Sequence, residues 1–228
     1  MIPETGSPQA GDERYWQSAD EDEAMQDEHG FIWHAMLDTI DVSLGDKRVL
    51  DAGCNRGGFL RLLCRDRGIA AGYGYDPAPG AIADARRLAG EWPLTFEVAD
   101  TVPAAWEGFD VGFSHEVLYL IRDLAAHARA IHRALRPGGI YYAVMGVHAS
   151  APEMADWHTR NAQHLKLPPL YSLDEVIETF TAVGFQAAVS RLKMGFVPFS
   201  SHAPSFPAGL QYFYEHKVMM RFCPERAI

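Results

Sequence analysis

Cysteine, basic charge and long apolar runs are all scarce in this sequence. Only Cys54, Cys64 and Cys223 occur among 228 residues, too few and too scattered for a disulfide framework. There is no CxxC and no HExxH, the compact spacings that hold zinc, so no metal is expected. No apolar stretch approaches the roughly 18 residues of a membrane-spanning helix. The start has no basic-then-apolar secretory pattern, so a cytoplasmic protein without membrane contact is expected. Lys and Arg number 20 against 30 Asp and Glu, a formal net charge of −10. Nine of those acids and a single base, Arg14, fall in residues 1–30. The remainder is nearly neutral. Without a basic field there is little to attract a phosphate backbone, and no nucleic-acid partner is expected.

What is present is the balance of an ordinary globular protein, 48% hydrophobic and 22% charged, and long enough to bury a real core. Residues 1–14 hold two Pro, two Gly and no apolar periodicity; they are expected to be a disordered leader. A helix should begin near Ser18–Asp20, where acids complement the positive helix N-terminus. Phe31, Ile32, Met36, Leu37 and Ile40 give it one apolar face. Residues 15–46 are thus read as a helical lid, in which Tyr15 and Trp16 either cover a ligand or pack on the surface.

From residue 47 onward strand and helix patterns alternate. Runs at 48–54, 70–76, 94–100, 109–115 and 140–146 read as strands, separated by helical patterns. The fourth crossover helix, Leu120–Leu135, should stop at the breaker Pro137-Gly138-Gly139. Strands apolar throughout and alternating with helices indicate a parallel, doubly wound α/β sheet covered on both faces. A capping box at Ser172 and Glu175 starts a later helix, and 186–194 and 216–222 read as two more strands. Segments 148–171 and 195–214 are Pro- and aromatic-rich insertions expected to cap the ligand face. In such sheets the ligand sits beyond the carboxyl ends of the strands, so the residues just after each strand carry the functional argument.

The first strand-to-helix turn is Asp51-Ala52-Gly53-Cys54-Asn55-Arg56-Gly57-Gly58. Glycines permit a tight turn before a helix N-terminus. This is not the dinucleotide fingerprint, because Asn55 stands where GxGxxG requires glycine. A nicotinamide-dependent oxidoreductase is therefore disfavoured. Asp76, followed by Pro77, closes the second strand and can accept from ribose hydroxyls. Asp100 closes the third and can accept from the exocyclic amine of adenine. A helix cap remains the alternative for either acid, and Asp51 could serve only to brace the turn. Together the three describe an adenosine site without phosphates.

VLDAGCNRGGFL, GYGYDPAPGAIADARR, VAD, FDVGFSHEVLYL and HRALRPGGIYYAV resemble, in order, the motifs of class I S-adenosylmethionine-dependent methyltransferases of the small-molecule type. The resemblance spans residues 47–147, with 172–223 alike in topology only. It implies a Rossmann-like, mostly parallel seven-stranded sheet with an antiparallel last strand, and S-adenosyl-L-methionine as cofactor. It places Asp51, Gly53, Asn55 and Gly57 against the cofactor's amino-acid part, Asp76 and Pro77 at the ribose, and Ala99 and Asp100 at the adenine. Ser114 and His115 come near the methyl group. The family's usual D/E-x-G-x-G has Asn55 at its second glycine here. The Asn/Asp-Pro-Pro-aromatic motif of enzymes acting on base amino groups is replaced by Ser114-His115-Glu116-Val117.

His115 is the candidate general base, since a histidine titrates near neutrality; a structural histidine at a strand end is the alternative. Tyr119 and His148 are lesser candidates. The acceptor should be a small, partly apolar molecule, methylated at oxygen or nitrogen, bound by the aromatic segments outside the shared core. A protein of this fold that only binds, or that uses a variant cofactor, stays open, as does a homodimer.

Overall fold

The computed structural model describes residues 19–146, 149, 152–163, 167–195 and 216–225. The leader at 1–14, Tyr15, Trp16, His148 and residues 196–214 of the second insertion lie outside them. Seven strands form one sheet in the order β3-β2-β1-β4-β5-β7-β6. They are β1 Arg48–Ala52, β2 Ala71–Asp76, β3 Leu94–Val98, β4 Phe109–His115, β5 Leu135–Gly146, β6 Phe185–Arg191 and β7 Lys217–Pro224. β1 to β5 run parallel, and β7 is antiparallel to both its neighbours. The expected doubly wound sheet with an antiparallel last strand is therefore what the chain adopts. The strand order reverses between β1 and β4, the point where α/β sheets open a crevice for ligand.

Alternation along each strand divides the apolar residues between two cores. One side buries Val49, Val111, Phe113, Tyr142 and Val144 beneath α1 Ala19–Thr39, α2 Gly58–Arg67 and α3 Pro79–Leu88. The other buries Leu50, Ala52, Tyr141 and Ala143 beneath α4 Leu124–Ala134 and α6 Leu173–Ala182. A further helix, α5 Pro152–Asn161, lies in the first insertion. None of the described helices is long and apolar enough to cross a membrane.

Three expectations change. The boundary at residue 47 is not a break in packing: Ile32, Ala35, Met36, Leu37 and Leu44 are buried in the same core as Leu60 and Val111. The C-terminal half of α1 is thus part of the core. The helix expected from Leu120 begins instead at Leu124, because Asp123 caps it, its carboxylate accepting from the Ala126 N–H at 2.7 Å. A single 3₁₀ turn, Leu118–Leu120, precedes it. The breaker at Pro137-Gly138-Gly139 does not precede β5 but bulges from it. Leu135 pairs with Phe109 and Ile140 with Val111, so four residues loop out, with Gly138 at a φ of 77°. The capping box at Ser172 and Glu175 forms as expected.

Candidate active site

The turn after β1 is shaped by three residues in the left-handed region: Gly53 at φ 73°, Asn55 at 45° and Gly57 at 71°. The N–H groups of Gly53 and Cys54 both donate to the Tyr75 carbonyl, at 2.9 and 3.1 Å, fastening the turn to β2. A Cβ on Gly53 would lie 2.4 Å from the Val117 side chain, and one on Gly57 would lie 2.5 Å from the Phe96 ring. Both glycines thus answer to backbone conformation and to the protein's own packing. Asn55 takes the conformation that the family's second glycine would supply. A short polar side chain tolerates it better than most. Gly57 precedes α2 with no side-chain cap. Arg56, the base of this turn, is in an ion pair with Asp84 at 3.2 Å.

Three acids stand at the carboxyl ends of three adjacent parallel strands, and their surroundings differ. Asp76 accepts from the Asn55 N–H at 3.1 Å through one oxygen and from the Ala78 N–H at 2.9 Å through the other. It is not the helix cap: Ala78 holds that position and Pro79 opens α3, with Pro77 between. Asp51 is buried, only 5% exposed, and among the described residues no hydrogen bond and no ion pair reaches its carboxyl. Burial, followed by the negative charge of Asp76, pushes it up to about 8. Asp100 is exposed, and no helix follows it before β4, so the cap alternative has no helix to serve. Its neighbour Ala99 donates its N–H to the Asp76 carbonyl at 3.1 Å.

At the end of β4 the side chains divide. The fully buried Ser114 hydroxyl accepts from the Tyr141 hydroxyl at 2.7 Å, which in turn meets the His127 ring at 3.1 Å. Its side chain belongs to this network beneath the strand end. His115 turns the other way and packs edge-on against His29 of α1, the ring centroids 4.7 Å apart. Its Nε2 has no hydrogen-bond partner among the described residues. Burial, the His29 ring and the Lys217 ammonium hold His115 well below the usual imidazole range. Burial and the same ammonium lower His29 to about 4. Glu116, at a φ of 57°, accepts from Lys217 at 2.5 Å, and both side chains are buried.

Sequence reasoning missed two members of this cluster. His29 sits in an acidic stretch with no motif around it. Lys217 reads as an ordinary residue of a late strand, and only the antiparallel insertion of β7 beside β5 delivers it to Glu116, 101 residues away. Among the described residues no three His, Cys, Asp or Glu cluster closely enough to hold a metal ion.

Residues 23–189 match the methyltransferase-domain family. A tRNA U34 carboxymethyltransferase from Methylococcus capsulatus is 32% identical over 158 residues, covering 64% of this chain and 46% of that protein. The chain spans about half or less of the length of the curated relatives it matches. In fold it is similar to a chain of the Haloferax volcanii complex between the Trm112 methyltransferase activator and a methyltransferase. That likeness has a TM-score of 0.74 at 22% identity and covers 91% of this chain and 95% of the other. It is also similar to geranyl diphosphate C-methyltransferase from Streptomyces coelicolor, solved with geranyl diphosphate and S-adenosyl-L-homocysteine. There the TM-score is 0.69 at 16% identity, covering 91% and 85% of the two chains. With the family match spanning most of its length and the ordered motifs set on the expected strand ends, the chain belongs to the class I S-adenosylmethionine-dependent methyltransferases.

Proposed function

We propose that this chain transfers a methyl group from S-adenosyl-L-methionine to the oxygen or nitrogen of a small-molecule acceptor. The observation that carries the reading is the row of Asp51, Asp76 and Asp100 beside an uncapped helix N-terminus whose nearby base is already paired. Such a site offers acceptors for hydroxyl, ammonium and amine groups, and the base of its turn is engaged by Asp84 rather than turned to a pyrophosphate. The residues present therefore fit a cationic nucleoside with an amino-acid tail.

When bound, the cofactor supplies a methyl carbon activated by its sulfonium, and orientation of the two partners is worth about 7–11 kcal/mol at best. The chain's own residues do the orienting. Asp76, fixed by two N–H donors, faces the ribose hydroxyls. Asp51 and the N–H groups of the glycine turn face the amino-acid part, Pro77 the ribose edge, and Ala99 and Asp100 the adenine. Ser114 sets the end of β4 through its buried bond to Tyr141. His115, neutral across ordinary pH, accepts a hydrogen bond from the hydroxyl or amine of the acceptor at Nε2. Glu116 and Lys217 offset each other's charge at this wall, which suits a weakly charged acceptor.

A small acceptor is supported by the near-neutral body of the chain outside its acidic start. A second reading, a tRNA acceptor, is favoured by the relative from Methylococcus capsulatus. Incubation with methyl-labelled cofactor and either a metabolite extract or bulk tRNA separates the two, with products read by mass. Label in small molecules is expected. Label confined to tRNA, with binding that weakens steeply with salt, would replace the first reading by the second.

A further inference from the structure

Asp51 and Asp76 end adjacent parallel strands, with Asp51 paired in register to Gly74 two residues before Asp76. Their environments are opposite. Asp76 is held by two backbone N–H donors, which stabilise its charge. Asp51 is buried and receives no donor and no cation among the described residues. The titratable groups that face it are Asp76 and Tyr75 from β2, Cys54 from the turn and Tyr141 from β5. The thiol and both phenols are pushed up by burial, so they stay neutral and offer Asp51 no countercharge. Two carboxyls on neighbouring strand ends, one of them buried without a donor, disfavour a second negative charge, and that burden falls on Asp51.

We infer that Asp51 is a protonated acid in the free protein and surrenders its proton when a cationic ligand enters, so that binding of S-adenosyl-L-methionine is coupled to release of a proton. This inference rests on the proposed function above. The balance is simple: the carboxyl O–H is cleaved heterolytically, the proton leaves to solvent, and the resulting carboxylate pairs with the positive charge that the ligand brings. The cation is thereby matched at the moment it is desolvated. The free site avoids a second buried negative charge. Asp51 then discriminates for the cationic ligand: an uncharged analogue of the amino-acid tail would meet a neutral acid and gain no ion pair.

Calorimetry on the full chain tests this. S-adenosyl-L-methionine is titrated at pH 7 in phosphate and in Tris, whose ionisation enthalpies differ. The expected result is a buffer-dependent heat corresponding to release of about one proton per site, fading as the pH is raised past about 8. The Asp51→Asn variant should bind more weakly and show no buffer dependence. Equal heats in both buffers with intact binding would overturn the inference while leaving the proposed function standing. So would an undiminished proton release in Asp51→Asn. If the wild-type protein fails to bind the compound at all, the proposed function falls and the inference with it. The wild-type pH series is decisive even where the variant does not fold.

Discussion

The carboxylate of Asp76 accepts the N–H of Asn55 across 3.1 Å while its other oxygen accepts that of Ala78. One side chain thus ties the turn after β1 to the turn after β2, the two turns proposed to form the cofactor wall. Asp76→Ala should therefore have two effects. Cofactor affinity should fall by about 1.5–3 kcal/mol, roughly 10- to 150-fold in Kd, as for loss of a charged hydrogen-bond partner. The free protein should also melt several degrees lower, because two N–H groups lose their acceptor. Calorimetry and thermal unfolding read the two separately. An unchanged Tm would show that the turns hold without Asp76, and an unchanged Kd would remove it from the site.

Much of this was legible in the sequence, for a physical reason. A parallel sheet fixes the ends of its strands at one edge, so acids that close consecutive strands must come together whatever the loops do. That is why Asp51, Asp76 and Asp100 could be placed in a row from spacing alone. Local rules also worked where the interaction is local, as in the capping box at Ser172. What was hidden came through distance. Nothing near Lys217 hints that β7 will bring it to Glu116. The Pro137-Gly138-Gly139 breaker is genuine as local chemistry, but pairing of Leu135 with Phe109 draws the strand past it. The sequence could not say whether the C-terminal half of α1 covers a ligand or roofs a core, because an amphipathic helix looks the same in either role. The burial of Ile32 and Met36 decides between these.

The Glu116–Lys217 pair makes a sharp stability prediction. Both side chains are buried, so removing either one takes from a buried charge its ion-pair partner, a loss of about 3–5 kcal/mol. Lys217→Met and Glu116→Gln should each lower the urea midpoint strongly. The double variant Lys217→Met with Glu116→Leu should recover most of the loss, since two apolar groups strand no charge. A double variant no more stable than the singles would mean that the pair is coupled to further groups at this edge.

For His115 the expected result is a flat profile. Its imidazole is held well below the usual range by burial, His29 and Lys217. It is already neutral above pH 6.5, so turnover should not rise through the ordinary histidine titration. His115→Asn retains a group that can accept from the acceptor's hydroxyl or amine, and its turnover should stay within about tenfold of wild type. General-base removal costs about 10²–10⁴-fold. A loss of that size in His115→Asn, with folding and cofactor affinity intact, would make His115 the base.

The pH dependence of stability isolates Asp51. Its folded value, about 8, lies above the roughly 4 of an exposed carboxyl. Between these limits the folded state binds the extra proton. Stability from this group is thus fully present below about pH 4 and is lost as pH rises through 8. His29 acts in the opposite sense. Its value falls from 6.5 to about 4 on folding, so the unfolded state binds more protons in that window and stability rises with pH there. His115 has the same sign. From pH 4 to 6.5 the acid and the histidines oppose one another. Between 6.5 and 8 Asp51 acts without them, and the free protein should lose stability across that interval. Asp51→Asn keeps the shape of the neutral acid but cannot ionise. It should match the wild type near pH 4, exceed it by a growing margin as the pH rises to 8, and show no decline between 6.5 and 8. Urea unfolding at half-unit steps of pH measures this directly. A wild-type curve level from 6.5 to 8, or a decline that persists in Asp51→Asn, would mean that Asp51 is already charged in the free protein.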